Sequence, residues 1–364
     1  MKVLVTGGLG FIGQYVCRKL LDHGHDVVIL DSVEPQSHSD RAPQLPKGAD
    51  LVIGSVGNRA RVRMALQDVE AVVHLAAIVG VGQSMYEPAR YVQRNTADFA
   101  MFLQMLRERP LQRLVVASSM SIYGEGAYES ERDGKRLYPI SRNPAVLAAG
   151  VWDFEGAIHA PTREDKPLHP ASVYAITKRD HEELALVVGE AYGIPTLALR
   201  FFNVYGPGQA LSNPYTGAAA IFACQALDGQ APTVYEDGRQ LRDFVHVEDV
   251  AEAVVRATEA RPSVSGYPIN IGTGRPHTIL ELAATLSNKL GGPTPQVLRK
   301  YRVGDVRHCY ADERRAIETL GFRAAVTLRE GLNELADYIQ ALPERPRNRT
   351  AEAARELTDA GMVR

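Results

Sequence analysis

The stretch VTGGLGFIG, residues 5–13, joins a short apolar run to an amphipathic helical pattern. Gly7, Gly10 and Gly13 follow one another at intervals of three residues, between a predicted strand and a predicted helix. Glycine at such positions permits a tight turn and lets the backbone approach a pyrophosphate whose charge lies at the helix N-terminus. A glycine turn without a ligand is the alternative, but the strand and helix on either side favour dinucleotide binding.

A carboxylate follows at the distance that a ribose contact requires. Asp31 ends the second apolar run, 18 residues after Gly13. A carboxylate at this point accepts hydrogen bonds from ribose hydroxyls and repels a 2′-phosphate. Ser32 follows it, where an arginine would favour the phosphate, so the sequence predicts NAD as the cofactor.

Further β-branched runs alternate with helical patterns through the first third of the chain. Their lack of polar alternation is typical of strands buried on both faces of a parallel sheet. We therefore expect an α/β fold, with a doubly wound parallel sheet and a second, smaller mixed α/β domain. The predicted strands cover residues 2–7, 26–30, 49–54, 71–77, 113–119, 196–202 and 267–272, and the predicted helices cover 11–23, 88–107, 248–260, 278–290 and 327–341.

The same pattern predicts how the domains are divided. Residues 1–202 form the dinucleotide-binding domain, and residues 239–262 pack back on it. Residues 125–169, rich in Gly, Pro, Ser and charge, are interpreted as a long structureless insertion over the sheet edge or the active-site mouth. Residues 203–342 form the substrate domain, and residues 343–364 form a charged tail.

Composition excludes several classes of function. The chain has 364 residues, 45% of them hydrophobic, and a formal net charge of −2, so neither nucleic acid nor an anionic membrane is expected as a partner. The three cysteines lack paired or metal-type spacing, which suits a reducing cytoplasm and argues against a metal site. No signal peptide or bilayer-spanning apolar run is evident, so we expect a cytoplasmic protein.

The stretch ASVYAITK, residues 171–178, places Tyr174 and Lys178 four residues apart on one face of a predicted helix. An ammonium beside a phenol favours the phenolate and lowers the phenol pKa, which would make the pair a proton-transfer catalyst. A half-buried core tyrosine with a solvated lysine is the alternative. Taken alone, the pair favours that alternative, because its spacing is common.

Several motifs together resemble one family. The glycine turn, HLAA at 74–77, SSMSIYG at 118–124 and the Tyr174/Lys178 pair resemble the extended short-chain dehydrogenase/reductases, and more narrowly the nucleotide-sugar epimerases. The order of these motifs favours a catalytic Tyr174 over a core tyrosine. The stretches GVGQSMYEP, SSMSIYGEG and RFFNVYGPGQALSNPYTG are similar to the dTDP-L-rhamnose 4-epimerase subgroup. The resemblance implies a Rossmann fold, bound NAD, a nucleotide-diphosphate sugar as substrate and a homodimer.

The resemblance also assigns residues to roles. It implies that Ser119, Tyr174 and Lys178 are catalytic and that no metal takes part. The residues it assigns to the cofactor are Gly7, Gly10, Phe11, Ile12, Gly13, Asp31, Ser55, Val56, Leu75, Ala76, Ala77, Asn95 and Lys178. The residues it assigns to the nucleotide sugar are Ser84, Ser119, Ser121, Asn203, Arg242, Arg302, Asp305 and Cys309.

The residues after Ser119 favour one reaction of this family. Met120 and Ser121 stand where dehydrating relatives have an Asp-Glu pair, so 4,6-dehydratase activity is disfavoured. What remains is oxidation at the sugar C4 by a tyrosinate base, rotation of the 4-keto sugar and return of the hydride. A 4-ketoreductase, which would use the same residues, stays open, although Asp31 disfavours the NADPH that such enzymes often prefer. A non-catalytic NAD-binding protein is the third possibility, and the intact trio argues against it.

Three positions qualify the resemblance. Ser55 stands where many relatives have an aspartate, and the insertion lacks the cysteine pairs frequent in the rhamnose-type subgroup. Cys309, four residues after Asp305, corresponds to a position beside the sugar, where a small residue would admit bulky substituents. Burial of Cys309 as an apolar filler is an equally weighted alternative. The base and the sugar are left open.

Overall fold

Strands and helices alternate through the first third of the chain, as the apolar pattern predicts. The structure, a computed structural model, describes residues 1–38, 44–213, 215 and 217–363. Its strands are β1 Lys2–Thr6, β2 Asp26–Asp31, β3 Asp50–Ile53, β4 Ala71–His74, β5 Arg113–Ser119, β6 Ala127–Ser130, β7 Arg136–Leu137, β8 Ala157–Ala160, β9 Thr196–Phe201, β10 Asn203–Tyr205, β11 Thr233–Val234, β12 Leu241–His246, β13 Tyr267–Ile271, β14 Pro276–Thr278, β15 Gln296–Val297 and β16 His308–Cys309.

The helices include one π-helical segment, Val92–Ala97, and one 3-10 turn, Met120–Tyr123. The π-helical segment joins two α-helices into one run, where the sequence predicts a single helix over residues 88–107. The α-helices are α1 Phe11–Asp22, α2 Arg59–Ala65, α3 Val81–Ser84, α4 Pro88–Tyr91, α5 Asp98–Leu106, α6 Pro144–Ala148, α7 Val173–Tyr192, α8 Ala218–Leu227, α9 Val247–Glu259, α10 Ile279–Lys289, α11 Arg314–Leu320, α12 Leu328–Gln340 and α13 Thr350–Asp359.

Seven parallel strands form the central sheet in the order β13-β9-β5-β4-β1-β2-β3. Alternate residues of β1 enter two different cores, Val3 and Val5 on one face and Leu4 on the other. Burial on both faces explains why these strands read as continuous apolar runs. The predicted doubly wound α/β fold is confirmed, and its order reverses between β1 and β4, where such sheets bind ligands.

The central sheet takes a strand from far along the chain. β13 pairs in parallel with β9, so residues 267–271 lie in the first lobe and not in the substrate domain to which the sequence assigns them. α9 packs against α1, as expected for residues 239–262. The apolar pattern could identify β13 as a strand, but it could not tell which sheet the strand joins.

The second lobe has smaller sheets and its own core. β12 lies between β10 and β14 and also pairs with β16, while β11 pairs with β15. Phe222, Leu282 and Leu335 of α8, α10 and α12 are among the core residues. This mixed α/β lobe follows the catalytic helix α7 in the chain.

Residues 125–169 are not a structureless loop, and that prediction is wrong. They contain the antiparallel sheet β7-β6-β8 and α6, and Trp152 packs with Leu147 and Tyr301. The backbone N–H of Gly126 donates to the carbonyl oxygen of His308 at 2.8 Å, which attaches the insertion to the second lobe. Strands of two to four residues are too short to show a period of two, so the sequence does not reveal them.

Buried ion pairs hold the insertion to the second lobe. The fully buried guanidinium of Arg307 contacts Asp153 at 2.7 Å, Asp237 at 2.6 Å and Glu236 at 3.1 Å. Arg142, from the insertion, contacts the same Glu236 at 2.8 Å. These residues, together with Glu125 at 3.4 Å from Arg142, are called the ionic junction below.

The charged tail is docked against the body of the protein. Its helix α13 buries Ala353 and Leu357, which lie one turn apart. Arg364 of the tail, and Pro214 and Thr216 of the stretch 200–217, lie outside the described residues. Within the described ranges, none of the helices combines the length and the apolar character that crossing a membrane requires.

Candidate active site

The glycine turn forms a cradle that side chains would fill. Gly7 has φ of 72°, and a Cβ there would lie 2.8 Å from the backbone nitrogen of Ala76. A Cβ at Gly13 would overlap the carbonyl oxygen of Gly7. Because only glycine fits both positions, backbone N–H groups at the start of α1 stay open to a diphosphate.

Asp31 braces this cradle from the end of β2. Its Oδ2 accepts a hydrogen bond from the backbone N–H of Leu9 at 3.0 Å, and its Oδ1 accepts one from Val33 at 2.8 Å. The side chain is 7% exposed and lies on the wall of the adjoining cavity. A carboxylate has lone pairs beyond these two contacts, so it can also accept from a ribose hydroxyl.

One cavity of about 310 Å³ brings together most of the predicted cofactor and catalytic residues. The predicted residues on its wall are Gly7, Gly10, Phe11, Ile12, Gly13, Asp31, Ser55, Val56, Leu75, Ala76, Ala77, Ser119, Tyr174 and Lys178. The wall also includes residues that the sequence analysis missed: Ser32, Glu34, Ser37, His38, Phe201, Phe202, Gln209, Ala210 and Asn213. The first four directly follow β2, so the rule that ligands bind beyond the carboxyl ends of parallel strands could have found them.

The catalytic trio meets at the end of β5 and the first turn of α7. The Ser119 hydroxyl is hydrogen-bonded to the phenol of Tyr174. It also accepts from the Ser121 hydroxyl at 2.9 Å and from the Ser121 backbone N–H at 3.2 Å. Since these two contacts occupy both lone pairs of Ser119, its own proton is available to the phenol oxygen. Ser121 therefore orients Ser119.

Burial controls the protonation of Tyr174 and Lys178. It raises the pKa of Tyr174 to about 12, and the hydrogen bond from Ser119 opposes this rise. Burial also lowers the pKa of Lys178 to about 7. The expectation that Lys178 draws the phenol pKa toward neutrality is wrong for the protein groups alone, because a pocket that excludes water disfavours charge on both side chains.

A histidine that the sequence analysis missed holds Lys178. His181 Nε2 lies 2.6 Å from the carbonyl oxygen of Asn95 and must donate to it, so His181 Nδ1 accepts from Lys178 Nζ at 3.4 Å. Burial, with the charge of Lys178, keeps the pKa of His181 well below its usual value. The spacing of three residues from Lys178 on one helix was the available signal.

Asn95 lies beneath the cavity and not on its wall. Its Oδ1 accepts from the backbone N–H of Ile78 at 2.9 Å, and its Nδ2 donates to the Ile78 carbonyl at 3.1 Å and to Thr177 at 3.1 Å. Every polar atom of the amide thus has a protein partner. Asn95 shapes the loop after β4, and its predicted cofactor contact stays a prediction.

Two predicted substrate residues adjoin the catalytic helix and the cavity. Ser84 Oγ accepts from the backbone N–H of Tyr174 at 2.9 Å and donates to the Val81 carbonyl at 2.7 Å, so it orients the first turn of α7. Asn203 lies next to Phe202 of the cavity wall, and its Oδ1 is buried without a protein partner. A buried acceptor without a partner costs free energy, which a donor from a ligand would recover.

The predicted phosphate and ribose ligands lie on the second lobe. Arg242 donates to Asp305 Oδ1 at 3.1 Å and to the carbonyl oxygen of Arg307 at 3.1 Å. Arg302 is exposed, and its guanidinium lies 4.4 Å from the ring centre of Tyr235. The wall of the described cavity does not include Arg242, Arg302 or Asp305, and their contacts with the phosphates and the ribose stay predictions.

Cys309 is a core residue and not a gate beside the cavity. Its side chain is 1% exposed, belongs to the main core and lies 3.8 Å from Thr162 Oγ1. The alternative of an apolar filler describes this environment, and the predicted sugar contact does not. The position four residues after Asp305 lies on β16, which pairs with β12, and the side chain of Cys309 there is buried.

Known proteins match this architecture over nearly its whole length. The NAD dependent epimerase/dehydratase family matches residues 3–145 and 149–272. The dTDP-L-rhamnose 4-epimerase of Burkholderia thailandensis is 36% identical over 93% of this chain and 94% of its own length.

Solved structures agree with this match. The UDP-glucose 4-epimerase of Thermotoga maritima, solved with UDP-glucose, has a TM-score of 0.77 and 29% identity, covering 93% of this chain and 99% of the other. The UDP-glucose 4-epimerase of Thermus thermophilus, solved with NAD, has a TM-score of 0.75 and 29% identity, covering 94% of this chain and 99% of the other. These matches confirm the resemblance inferred from the motifs. The chain belongs to the NAD dependent epimerase/dehydratase family.

Proposed function

We propose that the chain is an NAD-dependent nucleotide-sugar 4-epimerase. The observation that carries the proposal is that Ser119, Tyr174 and Lys178 share one cavity with the glycine cradle and Asp31. Met120 stands beside Ser119 where a dehydratase needs a carboxyl group, and Ser121 is used to orient Ser119. The protein residues are therefore equipped for proton transfer at one carbon and lack the acid and base that would expel a hydroxyl.

The chemistry of a 4-epimerase divides between cofactor and protein. NAD, which the glycine cradle and Asp31 would hold, would supply a reversible hydride acceptor and a positive charge to the pocket. Tyr174 takes the proton of the O4 hydroxyl and gives it back when the hydride returns. Ser119 donates to the phenol oxygen, which stabilises the phenolate, and Lys178 adds charge when protonated.

Incubation with nucleotide sugars tests this function. Purified protein without added cofactor is mixed with UDP-, dTDP- and GDP-sugars, and the products are analysed by NMR. We expect one or more of them to be converted to the C4 epimer, with NAD copurifying, because an epimerase regenerates its cofactor in every cycle. Stoichiometric consumption of NADH or NADPH would contradict this and establish a ketoreductase.

The second lobe binds the nucleotide end of the substrate in this proposal. Asn203 supplies a buried acceptor near the cavity, while Arg242, Arg302 and Asp305 supply two guanidinium groups and a carboxylate. Guanidinium groups suit a diphosphate because their paired N–H donors match its oxygens. Removing Arg302 should raise KM for every nucleotide sugar, because the exposed guanidinium stacks on Tyr235 and does not approach Tyr174.

We also propose a cytoplasmic homodimer. Val92, Ile176 and Val187 lie on the 88–106 helical run and α7, and they are 45%, 46% and 65% exposed. Apolar side chains this exposed are suited to an interface between copies. Light scattering should give the mass of a dimer, and Val187→Glu should shift it toward the monomer. All three cysteines are free, which suits a reducing compartment.

A further inference from the structure

The end of the chain, residues 347–363, crosses the region around the first turn of α7 and is called the C-terminal strap. Its Leu357 packs on Gly82 of α3, where a Cβ would lie 2.7 Å from a Leu357 methyl carbon. Two residues later, Ser84 accepts from the backbone N–H of Tyr174. The strap is thus separated from the catalytic tyrosine by one short helix.

A second contact joins the strap to Tyr215 and to the segment 207–213. Glu356 accepts hydrogen bonds from the hydroxyls of Tyr86 and Tyr215, the first at 2.8 Å, and the two hydroxyls lie 2.6 Å apart. Arg347 also donates its backbone N–H to Ser212 Oγ at 2.9 Å. This segment carries Gln209, Ala210 and Asn213, which lie on the cavity wall.

A third contact reaches the segment that holds the proposed nucleotide ligands. The backbone N–H of Val303 donates to the carbonyl oxygen of Met362 at 3.0 Å, and Arg302 pairs with Val363 in a β-bridge. A Cβ at Gly304 would lie 3.0 Å from the Ala171 carbonyl oxygen, three residues before Tyr174. The strap therefore links three segments that lie on different sides of the same helix end.

We propose that the strap is part of the substrate site and that Glu356 is a positioning residue of it. The proposal rests on the epimerase function proposed above. Glu356 holds Tyr86 and Tyr215 together, and Met362 and Val363 of the same strap hold Val303 and Arg302, so the strap fixes the separation of the segments that would surround the sugar. The strap makes no contact with Ser119 or Lys178 among the described residues, so we expect it to affect substrate binding and not proton transfer.

Glu356→Ala with Glu352→Ala as its matched control tests the role. Both glutamates are exposed on α13, but Glu352 pairs with Arg349 of its own helix end. We expect Glu356→Ala to raise KM about tenfold with kcat within about twofold, the pattern of an interaction lost equally from ground and transition states. More 4-keto sugar should escape, leaving reduced nicotinamide on the enzyme. Glu352→Ala should match the wild type.

A chain ending at Pro346 and a direct binding measurement complete the test. Calorimetry with UDP, dTDP and GDP gives the affinity without turnover, and we expect both variants to bind the preferred nucleotide about tenfold more weakly. The NAD content should be unchanged. Wild-type affinity and KM in both variants would overturn the strap proposal, and so would a wild type that binds none of the three nucleotides. A wild type that binds a nucleotide but epimerises no sugar would overturn the proposed function alone.

Discussion

The catalytic pocket and the ionic junction are both buried, but they treat charge in opposite ways. In the pocket, Lys178 is 4% exposed, and in the described parts of the chain no carboxylate lies within ion-pair distance of it. In the junction, Arg307 is fully buried and contacts three carboxylates. A cationic side chain is thus buried once without an opposite charge and once with several.

The difference shows how one chain separates chemistry from structure. Without an opposite charge, burial drives the pKa of Tyr174 up and that of Lys178 down, so both groups favour their neutral forms. In the junction, the hydrogen bonds of His308 and Arg307 lower the pKa of Asp153, and those of Asp237 and Asp153 outweigh burial and raise the pKa of Arg307, so both stay ionised. Groups that must change protonation are isolated, and groups that must hold two segments together are paired.

The largest effect should come from removing one phenol oxygen in the pocket. Tyr174→Phe should lower kcat by about 10²- to 10⁴-fold, as for loss of a general base, while NAD and nucleotide-sugar binding persist. Tyr128→Phe is the matched change in the junction, where the phenol donates to Glu125 at 3.2 Å. Turnover measured by NMR should fall only for the first, and equal rates for the two variants would remove the distinction between the regions.

Breaking the junction should cost stability and leave chemistry intact. Arg307→Met leaves Asp153, Glu236 and Asp237 without their shared cation and should lower the free energy of unfolding by about 3–5 kcal/mol. Urea denaturation measures it. The control is Arg179→Met, since Arg179 is 42% exposed and pairs with the 50% exposed Glu183 at the surface, so a change within about 0.5 kcal/mol is expected. An equal loss of unfolding free energy in the two variants would mean that the junction does not stabilise the fold.

The pH dependence of stability should show whether the unpaired Lys178 is neutral in the folded protein. Folded Lys178 has a pKa of about 7 and its ordinary value is 10.5, so between these values the unfolded chain binds more protons. Wild-type stability should therefore rise with pH across this window, with a slope of up to about 1.4 kcal/mol per pH unit from this group. Lys178→Met should remove that slope.

Urea denaturation at several pH values from about 7 to 9 measures the slope. Lys135→Met is the control, because Lys135 is 80% exposed at the surface. It should keep the wild-type dependence. A Lys178→Met chain with the wild-type slope would show that Lys178 is charged when folded.

The smallest effect concerns Asp31, a carboxylate that brings a fixed charge to the pocket wall. Asp31→Ala should narrow the preference for NAD over NADP by about tenfold, a change near 1.4 kcal/mol, because repulsion of the 2′-phosphate is lost. The control is Asp26→Ala at the exposed start of the same strand. The ratio of the two dissociation constants is the measurement, and an unchanged ratio for Asp31→Ala would mean that the ribose is read elsewhere.

Local spacing made the pocket predictable. Gly7, Gly13 and Asp31 lie within one strand-turn-helix-strand unit, and Tyr174 and Lys178 lie on one helical turn, so short-range rules identify them. Cys309 shows the limit of the same approach, because counting from a motif gives a position in the chain but not the direction in which its strand faces.

The junction was not predictable by such rules. Arg307 meets Asp153 and Glu236 across 154 and 71 residues of chain, and no periodicity connects positions so far apart. The fold of residues 125–169, which places Asp153 in the junction between α6 and β8, was also hidden. Pairing between distant charges is decided by the tertiary fold, which the sequence pattern alone does not give.

The strand β13 has a consequence for how the protein is made. Translation supplies the six other strands of the central sheet by residue 201, but α9 and β13 emerge only after the 203–246 segment. Until then, the apolar partners of Val250, Val254 and Ile269 have nothing to cover them. The nascent first lobe therefore exposes apolar surface while residues 202–271 are being synthesised. We expect a fragment ending at residue 202, which has six of the seven strands of the sheet, to aggregate.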